Sequence, residues 1–318
     1  MNERVDIVMA TYNGMPYIRE QLQSILWQDY QQLRLLIHDD GSTDGTVEEI
    51  RKVAERYPDK VFFIEDGITF KDAKKNFEHL LKMTDADYIF LADQDDVWPP
   101  SKVSVMVEEM SNLEQAYGKD TPALVFSDYA LSDEAEYTLC LSIKALWEVI
   151  DTTSNEATSS ELLLSRSIAL GCATGFNKFL LKLCLPIPDK ALTYDIWLLL
   201  MASALGIVKH LPCVFTPYRQ HGANTIGIRN QKFLSKLIRI AKAPGQSIGR
   251  FAAEEPSKIA QARALLIKLE ELGFGNADST GAVRDYIEYR TGGLGFKLVR
   301  FSKYAVDGFY STLFAVEK

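Results

Sequence analysis

Three carboxylates fall within four consecutive positions of this chain: Asp93, Asp95 and Asp96, with Gln94 between the first two. Like charges this close repel by about 4 kcal/mol per pair at the effective dielectric of a protein crevice, so the run needs a positive charge beside it. A hard, oxygen-seeking cation such as Mg²⁺ or Mn²⁺ would supply one, because such ions are held by one or two carboxylates together with substrate phosphates. The competing reading is a solvated acidic turn capping a helix that starts at Pro99, since aspartate is common ahead of helices. Two further polar pairs, Thr11 with Tyr12 and Asp39 with Asp40, also follow apolar runs.

The elements that must position these residues can be read from apolar spacing. Over the first hundred residues short apolar runs alternate with helix-period segments, the sign of βαβ units and a mostly parallel sheet. The spacing predicts strands at Val5 to Ala10, Leu33 to His38, Val61 to Glu65 and Tyr88 to Ala92. Between them it predicts helices from Ile18 to near Asp29, up to Tyr57 where Pro58 closes the element, and from Lys75 to Met83. Pro99 and Pro100 are expected to open the next helix, because proline is tolerated in a first turn. Strands at Ala123 to Ser127 and Ile207 to Leu211 flank an irregular stretch from Leu131 to Ser167, the segment Gly171 to Asn177, and helices after Lys178 and from about Asp195 to Leu205. In an open parallel sheet ligands bind beyond the carboxyl ends of the strands, and all three polar sites fall there. No G-x-x-x-x-G-K-[ST] loop and no G-x-G-x-x-G turn occurs, which excludes a P-loop or an ordinary dinucleotide site by motif.

The chain has 318 residues, 47% of them hydrophobic, enough for one large α/β domain with an appendage. Cys140, Cys172, Cys184 and Cys213 include no C-x-x-C pair and read as reduced thiols in a cytosolic setting. No apolar run has the length of a signal peptide or a spanning helix. Residues 1–228 hold 20 basic and 34 acidic side chains, whereas 229–318 hold 15 and 9, so a net −14 stretch is followed by a net +6 one. Within the latter, Phe233, Leu234, Leu237, Ile238 and Ala241 form one apolar helical face ringed by Lys232, Lys236, Arg239 and Lys242. Such a helix meets an anionic membrane surface or packs on a domain. The expected division is therefore 1–228, with a nucleotide half at 1–128 and an acceptor half at 129–228, followed by a basic helical extension at 229–318.

Six stretches, taken in order, resemble the family 2 glycosyltransferases, and among them the bacterial rhamnosyltransferases of polysaccharide assembly. They are ATYNG at Ala10 to Gly14, DDGSTDGT at Asp39 to Thr46, KNF at Lys75 to Phe77, DQDDVW at Asp93 to Trp98, GCATGFN at Gly171 to Asn177 and YRQHGAN at Tyr218 to Asn224. The resemblance implies a GT-A-like, Rossmann-type sheet flanked by helices. It implies that Tyr12 and Asp40 hold a pyrimidine base by ring contact and by accepting its N3–H, that Thr11 adds a polar contact, and that Lys75, or else Lys74, faces the phosphates. Asp93 would touch the ribose or the sugar, Asp95 would hold the divalent cation with His221, and Asp96 would support them or cap a helix. Asp195 would be the general base, in a TYDIW context where the family more often has His or Glu before the aspartate. Tyr194 and Trp197 are acceptor-side candidates, Trp197 with core packing as its other reading.

The implied reaction is inverting, metal-dependent transfer of a sugar from a nucleoside diphosphate to a hydroxyl of a polysaccharide or polyprenyl-linked glycan. dTDP-rhamnose is the favoured donor, and UDP-glucose or UDP-galactose the alternatives. An inactive binding or scaffold protein on the same fold is the rival class. A sugar-phosphate nucleotidyltransferase would want an arginine after the first strand, and ATYNG has none. Nucleic acid is not an expected partner; the inner face of the membrane or a second copy of the chain is.

Overall fold

The structure is a computed structural model that describes residues 3–132, 138–140, 171–219, 244–275 and 278–291. Its centre is an eight-stranded sheet. Strands β1 (Val5–Thr11), β2 (Leu33–Asp39), β3 (Val61–Ile64) and β4 (Tyr88–Ala92) lie parallel in the order β3-β2-β1-β4. Helices α1 (Ile18–Leu26), α2 (Thr46–Arg56) and α3 (Ala73–Met83) make the crossovers. On one face, Val5, Ile7, Met9, Leu35, Ile37 and Phe90 pack against Ile18, Leu22 and Ile25 of α1 and against α4 (Lys102–Tyr117) through Val103, Met106 and Val107. Their neighbours Val8, Leu36, Ile89 and Leu91 alternate to the other face and are equally buried. Covering on both faces is why β4 reads as an unbroken apolar run rather than an alternating one.

Beyond β4 the sheet changes sense. β5 (Ala123–Ser132) is followed by β6 (Thr138–Cys140) and, after a 3₁₀ turn at Gly171–Ala173, by β7 (Thr174–Asn177), which inserts antiparallel between β4 and β5. Helices α5 (Lys178–Cys184) and α6 (Tyr194–Leu205) then lead to β8 (Ile207–Arg219), parallel to β5. The sheet is thus mixed: β1 to β4 are parallel, β7 is antiparallel to both β4 and β5, and β8 is parallel to β5. β8 runs well past the expected Leu211, because Pro212 and Cys213 are absorbed at a register shift and pairing resumes at Asp128 with Val214. Pro99 and Pro100 precede α4 rather than opening it; the cap position is Ser101.

The chain divides into two compact units. The sheet and its helices form the first. The second contains α7 (Pro244–Glu271), α8 (Asp278–Thr291) and Pro188–Leu192. Its core is Ala262, Leu265, Leu269, Val283 and Tyr286, and the Leu192 amide donates to Gln261 Oε1 at 2.8 Å. His221, the helix expected around Phe233 to Ala241, and the 228/229 boundary lie outside the described residues. No described helix is long and apolar enough to cross a membrane.

Candidate active site

Parallel register sets Thr11 beside Asp39 and Met9 beside Ala92, so the loops after β1, β2 and β4 open at one edge. They are stitched together by polar groups. Thr11 Oγ1 donates to Asp39 Oδ2 at 2.7 Å, and Asp39 Oδ1 accepts from the amides of Gly41 (3.0 Å) and Ser42 (2.7 Å). Asn13 sits at φ 48°, its amide donating to Ser42 Oγ and its Oδ1 accepting from the Thr43 amide. Gln94 Oε1 accepts from the Tyr12 amide and Gln94 Nε2 donates to the Tyr12 carbonyl, both at 2.9 Å. A Cβ on Gly14 would stand 2.7 Å from Gln94 Oε1, so a side chain there would displace the carboxamide. The Tyr12 backbone is fixed while its ring is 58% exposed, the posture of a stacking surface. Thr11, by contrast, is buried with its hydroxyl committed to Asp39.

Asp40 is buried, and its carboxylate accepts from the amides of Phe70 and of Asp72 (3.1 Å). Asp72 in turn caps α3 by accepting from the amides of Lys74 and Lys75. Asp40 therefore organises the 66–72 loop, with both oxygens engaged and their second lone pairs left for a ligand N–H. Lys75 is exposed in the first turn of α3, and Lys74 is half-buried.

At the end of β4 the carboxylates of Asp93 and Asp96 and the thiol of Cys172 bring ligand atoms within 4.8 Å of one another. Burial pushes the Asp93 carboxyl well up, and the charges of Asp96, Asp95 and Asp195 push it further. Beneath lies Lys102, fully buried in the first turn of α4, with its ammonium 3.6 Å from the centre of the Trp98 ring and donating to the Cys172 carbonyl. Burial pulls that ammonium down to about 8, with Asp96 and Asp93 opposing the fall. Asp96 is thus a buried member of the cluster rather than a helix cap. Asp95 is half-buried outside the three-atom group, although its charge reaches Asp93. One buried ammonium against three neighbouring carboxylates leaves a net negative charge, and the oxygen donors fit a hard divalent ion. Burial raises the Cys172 thiol, and sulfur is a soft donor that suits such an ion less well than the carboxylate oxygens.

Lys102 went unnoticed in the sequence. A signal was there: a lysine in the first turn of a helix stands at the wrong end of the macrodipole.

Asp195 reaches the same cluster from α6. Its Oδ2 accepts from the Gly171 amide at 3.0 Å, and its Oδ1 accepts from the Ile196 amide at 2.9 Å and from the Thr193 hydroxyl. Thr193 is the N-cap of α6, which leaves Asp195 just inside the helix. Burial raises its carboxyl, against these hydrogen bonds. Tyr194 stacks on Phe77 of α3 at 3.8 Å, and its Oη stands 3.0 Å from where a Cβ on Gly171 would be. Trp197 corrects one expectation. It is fully buried with its indole N–H donated to the Cys184 carbonyl at 3.0 Å, so it is a core residue and offers no platform to an acceptor.

A mixed sheet whose β1 to β4 run parallel, with a carboxylate-lined edge beyond β4, is a GT-A-like fold. It is similar to the mannosyltransferase PcManGT from Pyrobaculum calidifontis in complex with GDP-Man and Mn²⁺, with a TM-score of 0.57 and 17% identity over 100% of this chain and 89% of that one. Residues 6–128 match the family model described as Glycosyl transferase family 2. The chain is 38% identical over 103 residues to the dTDP-rhamnosyl transferase RfbG of Shigella flexneri, covering 31% of this chain and 36% of that protein. It is 32% identical over 108 residues to the UDP-Glc:alpha-D-GlcNAc-diphosphoundecaprenol beta-1,3-glucosyltransferase WfaP of Escherichia coli, covering 34% and 41%. The matched stretches thus span less than half the length of either relative.

Proposed function

We propose that the chain is an inverting glycosyltransferase that moves a sugar, with rhamnose favoured, from a nucleoside diphosphate to a hydroxyl of a cell-surface polysaccharide or lipid-linked glycan. The observation that carries this reading is the convergence of Asp195 on the acidic cluster: its carboxylate, from α6, accepts at 3.0 Å from the amide of Gly171, next in the chain to the Cys172 that clusters with Asp93 and Asp96. Likeness to RfbG supports dTDP-rhamnose as donor. Likeness to WfaP, whose name specifies UDP-Glc and a diphosphoundecaprenol-linked acceptor, supports a lipid-linked acceptor and puts UDP-glucose second.

In this reading the exposed Tyr12 ring stacks on the base, the free lone pairs of Asp40 accept its N–H, and Lys75 faces the phosphates. Asp93 contacts the ribose or sugar. A divalent cation on Asp95, completed by His221, would neutralise charge on the departing diphosphate. Asp195 takes the proton of the acceptor hydroxyl as the acceptor oxygen bonds to the anomeric carbon. The bond from that carbon to the diphosphate oxygen breaks in the same displacement, its electron pair leaving with the diphosphate, and the configuration inverts. Burial suits Asp195 to this, because a raised carboxyl is a stronger base. The basic 229–318 stretch would meet the cytoplasmic face of the membrane or a second copy of the chain.

The test is release of nucleoside diphosphate from a panel of dTDP-rhamnose, UDP-glucose and UDP-galactose, with and without glycan acceptors. Acceptor-dependent release from dTDP-rhamnose is expected. Donor binding with no release from any donor would favour a catalytically inactive scaffold instead.

A further inference from the structure

Three side chains outside the transferase site converge behind the 66–72 loop. His38 lies near the end of β2, Asp66 follows β3, and His79 lies on α3; their ligand atoms fall within 4.8 Å of one another. Asp66 Oδ1 is 3.2 Å from His38 Nε2, and Asp66 Oδ2 is 2.7 Å from His79 Nε2. The rings of His38 and His79 are 5.0 Å apart, edge to face, and the Phe70 ring packs on both.

The tautomer of His38 is what points to a ligand. Asn76 Nδ2 donates to the His38 carbonyl, which turns Asn76 Oδ1 toward His38 Nδ1 at 2.7 Å. An amide oxygen only accepts, so Nδ1 carries the hydrogen. In the neutral ring Nε2 then presents a lone pair to a carboxylate oxygen, which is a second acceptor. His38 is 1% exposed, so no bulk water separates the two. A proton held as a buried imidazolium, or a cation between them, resolves that opposition. The second fits what surrounds the ring. A metal-bound histidine commonly donates its other N–H to an oxygen that fixes its orientation, which is what Asn76 receives. Ligands on a tetrahedral ion with bonds of about 2.0–2.1 Å stand about 3.3 Å apart, close to the 3.2 Å between His38 Nε2 and Asp66 Oδ1.

We propose that His38 Nε2, His79 Nε2 and an Asp66 oxygen form a site for a borderline transition-metal ion of the Zn²⁺ type, with water in the fourth position. Two imidazoles and one carboxylate suit Zn²⁺ rather than the hard ions drawn to the all-oxygen acidic centre. The ion would fasten β2 to α3 and hold the loop whose Phe70 and Asp72 amides grip Asp40. The site would therefore set the stiffness of the base-binding wall without touching the donor. The assignment is independent of which sugar is transferred.

Co²⁺ titration of the chelator-stripped full chain tests it by the intense visible bands of a four- or five-coordinate ion, which an octahedral oxygen site does not give. One equivalent of Co²⁺ should develop these bands, and Zn²⁺ should abolish them. His79→Gln, at a partly exposed position, and the near-isosteric Asp66→Asn should each weaken Zn²⁺ by more than the roughly 10–100-fold typical of losing an outer partner. Asp95→Asn should leave the bands unchanged. Absence of bands, equal Zn²⁺ affinity in His79→Gln and Asp66→Asn, or loss of the bands in Asp95→Asn would each overturn the assignment.

Discussion

Gln94 and Tyr12 exchange two hydrogen bonds of 2.9 Å, side chain to backbone, which tie the two chain segments together just beyond the end of the β1–β4 ladder. The residue between the acidic positions thus joins the loop after β1 to the acidic cluster, and Gly14 leaves the room for it.

Gly14→Ala is expected to dislodge the carboxamide and break both bonds, worth about 0.5–1.5 kcal/mol each at most for so exposed a pair. Donor affinity should fall with stability. In a Gln94→Ala background the same substitution should cost clearly less, and a double-mutant cycle by denaturation and donor titration reads that coupling. Additive costs would show that the clash lies elsewhere.

Asp195→Asn should abolish transfer while leaving donor binding intact, since only the proton acceptor is removed. Because burial raises this carboxyl, its deprotonated, active form is lost as pH falls through a value above the ordinary aspartate range. The acidic limb of the kcat/KM profile should lie correspondingly high. Retained transfer by the variant would assign the base to another group.

Lys102→Met removes the buried ammonium and leaves Asp93 and Asp96 without it. Breaking a buried charge pair in this way costs about 3–5 kcal/mol. Asp93 has a raised folded-state pKa, so it takes up a proton as pH falls, and the cost should shrink in acid. Urea denaturation at neutral and mildly acidic pH gives the comparison; a pH-independent cost would remove the electrostatic explanation.

Trp197→Phe should destabilise the fold by about 1–3 kcal/mol, through lost volume and the lost bond to Cys184, without altering the KM for acceptor. A raised acceptor KM at unchanged stability would restore the platform role.

Asp95→Ala should remove the dependence of donor affinity on added Mg²⁺ or Mn²⁺. Calorimetry of donor binding with and without chelator decides it, since equal affinities in the unaltered chain would exclude a metal contribution to donor binding.

The nucleotide side of the fold was legible because its signals are local. β4 is a continuous apolar run bounded by polar residues, and its observed limits are the expected ones. The long β8 was not, because two prolines break its pattern and only pairing with β5 carries the strand across Pro212. Side-chain direction was the other gap. Nothing in the spacing shows that Lys102 turns inward beneath the cluster, that Trp197 closes over Cys184, or that His38 and His79, from different elements, share one carboxylate.

The insertion of β7 between β4 and β5 also orders the chain in time. The parallel strands β1 to β4 lie within residues 5–92, so their pairings can form from early, sequence-near contacts. Gly171, whose amide steadies Asp195, and α6 itself come from the far side of that insertion. Because synthesis is vectorial, the emerging polypeptide acquires Tyr12, Asp40 and the acidic cluster of β4 well before Asp195. Under the proposed function, the residues assigned to the donor would therefore be in place before the residue assigned to the acceptor.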